Sequence, residues 1–403
     1  MLNIEGRRDL VISLAGRAVS TFGDGVALVA LTLRLQADGV HPYVIALLMA
    51  AGTLPLLLLA GPIGRLVDAS DSRRLLVLGG LVELAATIPL IFLHSVAPMV
   101  LLVAALGAAA SVTGATWSAL VPRIVGDEHL AEAVSAQQSL NALVLVAAPA
   151  VGGLLAGAFG SGVALTVDAA TFVVVTGAAA LVRTRRVPTR ASNADGQSRA
   201  RSGFRILRAD PVLAPLLAGV ALVVLLVGMV DVVLVYLVRE TLDAGGVWYG
   251  VVEASWMAGM VAGALGAGRV RTEPGQVFAA IAGAALACAG LAAFAVAPAV
   301  GILVPLSVLG GIGNGYAGSC LSTLLMSRTL DSARGRVSAA ANAVFGSAQG
   351  ASLLLGGVVA IVLSPRAIYA VAGLLGLTAA GIVAVAIASR TVTRATPVDA
   401  SAG

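Results

Sequence analysis

The sequence predicts an all-α polytopic membrane protein with twelve transmembrane helices. Of its 403 residues, 59% are apolar and only 11% are charged, whereas soluble domains carry about 25% charged residues. Mean hydropathy is +1.00. The apolar residues form runs near the length of about 20 residues that an α-helix needs to cross a bilayer, unlike the short alternating strands of a membrane barrel. The runs are residues 10–35, 42–63, 75–93, 98–121, 131–157, 162–182, 212–238, 247–268, 277–296, 301–325, 337–363 and 365–389.

Arginine is distributed unequally between the two sides of these runs. The loops after even-numbered runs and the linker after the sixth run contain most of it: Arg65, Arg73, Arg74, Arg123, Arg183, Arg185, Arg186, Arg190, Arg199, Arg201, Arg205, Arg208, Arg269, Arg271, Arg328, Arg334 and Arg336. The opposite loops contain only Arg34, Arg239 and Arg366. Because basic loops stay in the cytoplasm, both termini are predicted to be cytoplasmic. The protein itself is predicted to lie in an inner membrane. This distribution explains the net charge of +5 without a nucleic-acid partner.

One long polar segment, residues 183–210, divides the chain. Six runs precede it, in residues 1–182, and six follow it, in residues 211–403. The first part of this linker is expected to be flexible because it is rich in arginine and small polar residues. Its end, residues 203–211, is predicted to form a short amphipathic helix on the inner leaflet.

The two predicted halves show internal similarity. A constant offset of 203 residues pairs glycines in three different helices of each half: Gly16 with Gly219, Gly25 with Gly228, Gly107 with Gly310 and Gly153 with Gly356. Single matches are expected by chance in a chain this rich in small residues, but a constant offset across several helices is not. It predicts two parallel six-helix repeats, an arrangement that in transporters places the substrate near the bilayer midplane.

A charged hairpin, residues 61–74, joins the second and third runs. It contains Gly64-x-x-x-Asp68 followed by the basic pair Arg73-Arg74. This spacing resembles the loop between the second and third helices of major facilitator superfamily transporters, although three positions of the family pattern are not kept. The resemblance implies the major facilitator fold and transport by alternating access.

The resemblance also implies that the hairpin acts as an inner gate. Asp68 is expected to face the start of the eleventh run at Arg336 when the cytoplasmic helix ends meet. An anion at the N-terminus of a helix is stabilised by about 0.3–1 kcal/mol when exposed. Asp68→Asn is therefore expected to slow transport without preventing ligand binding.

Four further segments resemble the branch of the superfamily that contains macrolide-efflux and enterobactin-exporter-like proteins. They are residues 119–125, 130–133, 148–153 and 334–337. The resemblance implies a monomeric secondary transporter that exports a bulky organic compound in exchange for protons. Its partners would be the small-molecule substrate, protons and the lipid bilayer.

The fifth run contains Pro149-x-x-Gly152-Gly153. This resembles the G-P-x-x-G-G signature that is associated with antiporters of the superfamily. Proline removes one helical hydrogen bond, and small residues allow close packing against a neighbouring helix. The alternative is ordinary small-residue packing in a glycine-rich protein.

Three intramembrane carboxylates are candidates for proton coupling, since charge in a membrane is costly and usually functional. Asp24 lies in the middle of the first run and is predicted to be the main proton carrier; the alternative is that Gly23-Asp24-Gly25 holds a break in the helix. Asp231 and Glu253 lie at the same predicted depth in the membrane. Two predictions follow as alternatives: the two carboxylates share a proton, or Glu253 faces an outer vestibule.

Two other intramembrane charges, Arg17 and Glu83, also come out at similar depth. They are predicted to form a structural ion pair. Asp168, near the outer end of the sixth run, is interpreted as structural, because that helix is peripheral in the family that the chain resembles.

The same resemblance predicts that Trp117, Asn314 and Tyr316 line the substrate cavity. An aromatic ring and an amide in an aliphatic cleft suit a bulky amphipathic ligand, although each residue alone more often packs. The sequence contains no phosphate-binding loop, metal-ligand cluster or nucleophile constellation, so it predicts neither an enzyme nor a cofactor. Two alternatives remain: an importer or facilitator of a small metabolite, and a receptor or scaffold that does not transport.

Overall fold

A computed structural model describes residues 4–184 and 196–395, and within them the chain is helical and contains no strand. The helices are α1 (Ile4–Ala37), α2 (Pro42–Leu58), α3 (Ala60–Ala69), α4 (Ser72–Phe92), α5 (Val96–Val125), α6 (Leu130–Phe159), α7 (Ser161–Leu181), α8 (Gly196–Ala209), α9 (Leu213–Tyr236), α10 (Gly246–Ala267), α11 (Glu273–Phe294), α12 (Val300–Ser327), α13 (Asp331–Val359) and α14 (Pro365–Ala395). A π-helical segment, Leu237–Thr241, extends α9.

The lengths of the described helices confirm the polytopic membrane fold. Eleven of them are long and apolar enough to cross a membrane, and the pair α2–α3, which is bent by 59°, gives twelve spans if it is counted as one. The bend lies at Leu59, whose backbone is not helical. Pro62 explains it, because a proline ring in a helix clashes with the carbonyl group four residues earlier, here that of Leu58.

The predicted hairpin at residues 61–74 is wrong in its local structure. Most of it is helical, since α3 continues to Ala69 and α4 begins at Ser72. The connection is therefore very short. Asp71 caps α4 by accepting a hydrogen bond from the Arg74 backbone N–H at 3.1 Å, which satisfies a free amide of the first turn.

The chain forms two compact units. Of the described residues, the first unit contains 4–184, 231–257 and 353–365, and the second contains 196–230, 258–352 and 366–395. In the first unit, α1 packs against α5, α6 and α7, and α4 packs against α5 and α7. The predicted halves on either side of the linker stay a prediction.

Glycines paired by the 203-residue offset have equivalent neighbours within their own units. Gly16 on α1 faces Ala178 of α7, and a Cβ atom added to this glycine would lie 3.7 Å from the alanine methyl group. Gly219 on α9 faces Val383 of α14, and a Cβ atom added to this glycine would lie 2.9 Å from a methyl group of the valine. Both glycines allow a helix to approach the last long helix of its own predicted half.

The end of the predicted linker forms a longer helix than expected, α8 (Gly196–Ala209). It packs within the second unit, where Leu207 is buried and Gly203 lies against the backbone carbonyl of Arg336 so closely that a Cβ atom would overlap it. The residues expected to be flexible, 185–195, lie outside the described residues.

Candidate functional site

Asp24 lies in the middle of α1, and its side chain is exposed. The helix is continuous here, so the alternative of a local break at Gly23 and Gly25 is wrong. Both glycines instead allow close packing. A Cβ atom at Gly25 would lie 2.7 Å from the methyl group of Ala148 on α6, and one at Gly23 would overlap the carboxylate of Asp168 on α7.

Asp24 belongs to a group of three carboxylates. It interacts electrostatically with Glu83 of α4, and both interact with Asp168 of α7. Glu83 and Asp168 are each 1% exposed. Sequence reasoning missed this grouping because it treated Asp168 as structural; the rule that intramembrane charge is usually functional was the available signal.

The predicted ion pair between Arg17 and Glu83 is wrong in this structure. The Arg17 guanidinium donates to Ser118 Oγ at 2.7 Å and to the Gly114 carbonyl at 3.3 Å. Glu83 Oε1 instead accepts a hydrogen bond from Thr113 Oγ1 at 2.9 Å. Both side chains reach α5, Arg17 at Gly114 and Ser118 and Glu83 at Thr113. Adjacent positions on this helix point about 100° apart, so equal depth does not bring the two charges together.

Asp231 and Glu253 lie close enough in the first unit to interact electrostatically. Both are half-buried. The buried Tyr249 lies beside them and is hydrogen-bonded to Thr32 of α1, whose hydroxyl group donates to the Leu28 carbonyl at 2.8 Å. The two carboxylates thus adjoin a hydrogen-bonded connection to α1 that the sequence did not reveal.

The three predicted cavity residues do not act together. Trp117 is 3% exposed and packs in a core cluster with Leu120 and Ala179, so its predicted place in the cavity is wrong. Asn314 lines a cavity of about 260 Å³ in the second unit. Tyr316 does not line it.

Tyr316 packs on the other side of α12. Its hydroxyl group lies so close to Gly266 of α10 that a Cβ atom there would overlap it, and its Cβ atom is 3.0 Å from the Cβ position of Gly283 on α11. Residues two apart on a helix point in nearly opposite directions, because each step turns the chain by about 100°. Asn314 and Tyr316 therefore cannot share one cavity wall.

The antiporter-like segment of α6 makes two close helix contacts in the first unit. A Cβ atom at Gly152 would lie 3.0 Å from Val29 Cβ on α1. At Gly153 it would lie 2.6 Å from the Cα atom of Gly250 on α10. Consecutive glycines thus let α6 approach α1 on one side and α10 on the other, which larger residues would prevent.

The predicted gating residues lie in both units. Gly64 is exposed, and nothing lies within 4 Å of its Cβ position. Arg73 and Arg74 lie in the first turn of α4. Asp68 belongs to the first unit and Arg336 to the second, so their contact stays a prediction.

Asp210, in the second unit, is a charged residue outside the spans that has several partners. Its carboxylate accepts hydrogen bonds from the backbone N–H groups of Val212 at 2.8 Å and Leu213 at 2.9 Å, and from Arg328 Nε at 3.0 Å. Arg328 also pairs with Glu273. Although burial favours the neutral acid, the hydrogen bonds from Leu213 and Arg328 hold the pKa of Asp210 below its ordinary value.

A cavity of about 340 Å³ lies in the first unit and includes Arg34 and Arg239 in its wall. Arg34 is 8% exposed. Its guanidinium donates to the Leu90 carbonyl at 2.6 Å and to Ser161 Oγ at 2.8 Å. It therefore caps the C-terminal end of α4, where a cation is favoured. Among the described residues, no group of acidic, histidine or cysteine side chains is arranged to hold a metal ion.

Comparison with known proteins identifies the family and the fold. A family model described as Major Facilitator Superfamily matches residues 14–353. A search of curated protein sequences finds no significant match. Among solved structures, a single-residue mutant of the nucleoside transporter NupG superposes with a TM-score of 0.73 at 11% identity, covering 94% of this chain and 99% of its own.

A bacterial homologue of the human lysosomal transporter Spinster, in an inward-facing and unoccupied conformation, gives a TM-score of 0.71 at 13% identity. That comparison covers 99% of this chain and 100% of the homologue. Identities this low show that the fold is shared and leave the substrate open.

Proposed function

Because the chain belongs to the major facilitator superfamily, we propose that it is a proton-coupled exporter of a bulky organic compound in an inner membrane, with both termini cytoplasmic. The observation that carries the proposal is Asp24: an exposed carboxylate in the middle of a membrane helix, next to two buried carboxylates. Charge at that depth is costly and is usually retained for ion or substrate transport.

Asp24 is the proposed proton carrier. In one state of the alternating-access cycle its carboxylate takes up a proton from outside, and in the other it releases the proton to the cytoplasm. The O–H bond that forms on Asp24 is the one that breaks on release, so one proton crosses per cycle. Moving one charge through a potential of about 100 mV supplies about 2.3 kcal/mol for transport.

The direction of transport is supported by the antiporter-like segment of α6. Gly152 and Gly153 hold α6 against α1 and α10, and α1 carries Asp24. A rearrangement of α6 would therefore act directly on the helix that carries the proton. This links the segment that resembles the antiporter signature to the proposed coupling residue.

A second candidate function is facilitated uptake of a small metabolite. The cavity at Asn314 has a volume of about 260 Å³, below the roughly 300–1,000 Å³ of sites for drug-sized ligands. Its wall is mostly apolar and includes the polar side chains of Asn314, Asn342 and Ser322, which suit a compact ligand with a few polar groups. One similar structure is that of a nucleoside transporter.

Transport in membrane vesicles separates the two functions. Inside-out vesicles with an acidic lumen would be tested for accumulation of ethidium and erythromycin, and right-side-out vesicles for uptake of uridine. The exporter is expected to accumulate one of the first two compounds, and an uncoupler should abolish the accumulation. Vesicles without the protein are the control. Uridine uptake that needs no proton gradient, with no ethidium or erythromycin accumulation, would support the second candidate and contradict the first.

A further inference from the structure

Two sealed carboxylates lie behind the exposed Asp24. Glu83 and Asp168 are each 1% exposed. Glu83 Oε2 and Asp168 Oδ1 are inaccessible to solvent and have no hydrogen-bond partner within the described part of the chain. An ionised carboxylate is strongly disfavoured away from water unless its oxygens are paired. The bare oxygens therefore indicate that these two groups hold protons.

The bare oxygen of Asp168 lies beside α1. Asp168 Oδ1 lies against α1 so closely that a Cβ atom at Gly23, the residue before Asp24, would overlap it. Asp24 and Glu83 both act electrostatically on Asp168. Carboxylates from α1, α4 and α7 thus form a single interacting group, although only Asp24 is exposed.

No cation in the surrounding described helices balances this group. Arg17, the nearest arginine on α1, binds Ser118 and Gly114 of α5. The other charged residues of α1, α4, α5, α6 and α7 lie towards the helix ends: Glu5, Arg7, Arg8, Asp9, Arg34, Arg73, Arg74, Arg123 and Glu132. Neighbouring carboxylates without a cation cannot all ionise cheaply, so repulsion favours a single negative charge on the cluster.

We propose that Glu83 and Asp168 form a second proton site, sealed behind α1, that exchanges protons with Asp24. The proposal rests on the proposed proton coupling and extends it from one residue to three. When Asp24 is ionised, both buried carboxyl groups hold a proton. An O–H bond of the pair then breaks as one forms on Asp24, and the pair keeps one proton. This transfer moves the single negative charge of the cluster from Asp24 to the pair. The reverse transfer restores the ionised Asp24, which then takes up the proton from outside.

The occupant is a proton and not a metal ion. The three carboxylates do not form a group that could hold a metal ion in the described residues. Glu83 Oε1 already accepts a hydrogen bond from Thr113 Oγ1 at 2.9 Å. A proton needs only one free oxygen on each group, and each group has one.

Infrared difference spectroscopy on the full chain in lipid vesicles tests the proposal, because protonated carboxyl groups absorb apart from carboxylates. We expect a protonated-carboxyl band at neutral pH that Glu83→Gln and Asp168→Asn each reduce. Thr113→Val should shift the band without removing it, because it removes the hydrogen bond to Glu83 and a longer one to the Ala110 carbonyl but leaves both carboxyl groups in place. This variant keeps the test valid if the carboxyl variants fold poorly. Glu132→Gln, at an exposed helix end, is the matched control and should leave the band unchanged.

Two results would overturn the second proton site. One is the absence of the band, or a band that Glu83→Gln, Asp168→Asn and Thr113→Val all leave unaltered. The other is a band that sodium chloride removes and choline chloride does not, since the site would then hold sodium. Ethidium accumulation in the same vesicles separates this failure from that of the proposed function. A missing band with intact proton-driven transport rejects only the second site, whereas a normal band without any transport rejects only the exporter.

Discussion

Replacing Gly153 by alanine is expected to weaken the packing of α6 against α10. The added methyl group would lie 2.6 Å from the Gly250 Cα atom, 2.9 Å from its backbone nitrogen and 3.3 Å from the Val247 carbonyl oxygen. These are backbone atoms, so no side-chain rotation relieves the overlap and the two helices must separate. Overpacking of this kind costs about 1–3 kcal/mol.

The matched control is Gly177→Ala in α7, where nothing lies within 4 Å of the Cβ position. Both variants gain about 0.5–1 kcal/mol from exchanging a helical glycine for alanine, so this gain cancels when they are compared. The difference between them isolates the overlap. At about 1.4 kcal/mol for each factor of ten, Gly153→Ala should have an unfolding equilibrium constant about 5- to 140-fold larger than that of Gly177→Ala.

Reversible unfolding in mixed detergent micelles, followed by far-ultraviolet circular dichroism, measures both variants under the same conditions. The expected order of stability is Gly177→Ala above wild type and Gly153→Ala below Gly177→Ala. Equal stability of the two variants would refute the close contact between α6 and α10. The antiporter-like segment would then no longer be tied to α10 through this contact.

Three further predictions concern charge and the hairpin. The stability losses caused by Arg17→Ala and Glu83→Gln should add up in the double variant, since the residues share no contact. A double variant that loses less stability than the sum of the two single losses would indicate an ion pair between them. Because the pKa of Asp210 is lowered, its stabilising effect should be full above the ordinary aspartate value of about 3.9 and disappear as pH falls through the lowered folded value. Asp210→Asn should remove this part of the pH dependence, and a pH profile of unfolding that it leaves unchanged would contradict the contact with Arg328. Gly64→Ala should raise stability by up to about 1 kcal/mol, because its Cβ position is open, and a clear loss in the same unfolding assay would contradict that open position.

The all-helical membrane fold and its eleven or twelve spans could be predicted from the sequence because the bilayer imposes a length on each helix. The same reasoning by depth placed Asp231 level with Glu253, and they do interact. It failed for Arg17 and Glu83, because depth along a helix says nothing about the direction in which a side chain points. That direction depends on which helices are neighbours, which local sequence does not specify.

The assignment of Trp117 and Tyr316 to the same cavity as Asn314 failed for a related reason. Their assignment assumed that every polar or aromatic residue on a cavity-lining helix faces the cavity. The spacing of Asn314 and Tyr316 already excludes a shared face, and this could have been predicted. The burial of Trp117 could not, since it depends on contacts with other helices such as that with Gly16. The grouping of Asp168 with Asp24 and Glu83 was missed because a family resemblance outweighed the physical cost of a buried carboxylate.

Asp24→Asn tests directly whether Asp24 couples protons to transport, because it mimics the protonated acid and keeps the size of the side chain. In vesicles that contain the variant, accumulation of ethidium driven by a proton gradient should be lost, while exchange of ethidium across the membrane without a gradient should continue. Glu132→Gln, measured in parallel, should retain both activities. Gradient-driven accumulation by Asp24→Asn at the rate of the unchanged protein would contradict the claim that Asp24 couples protons to transport.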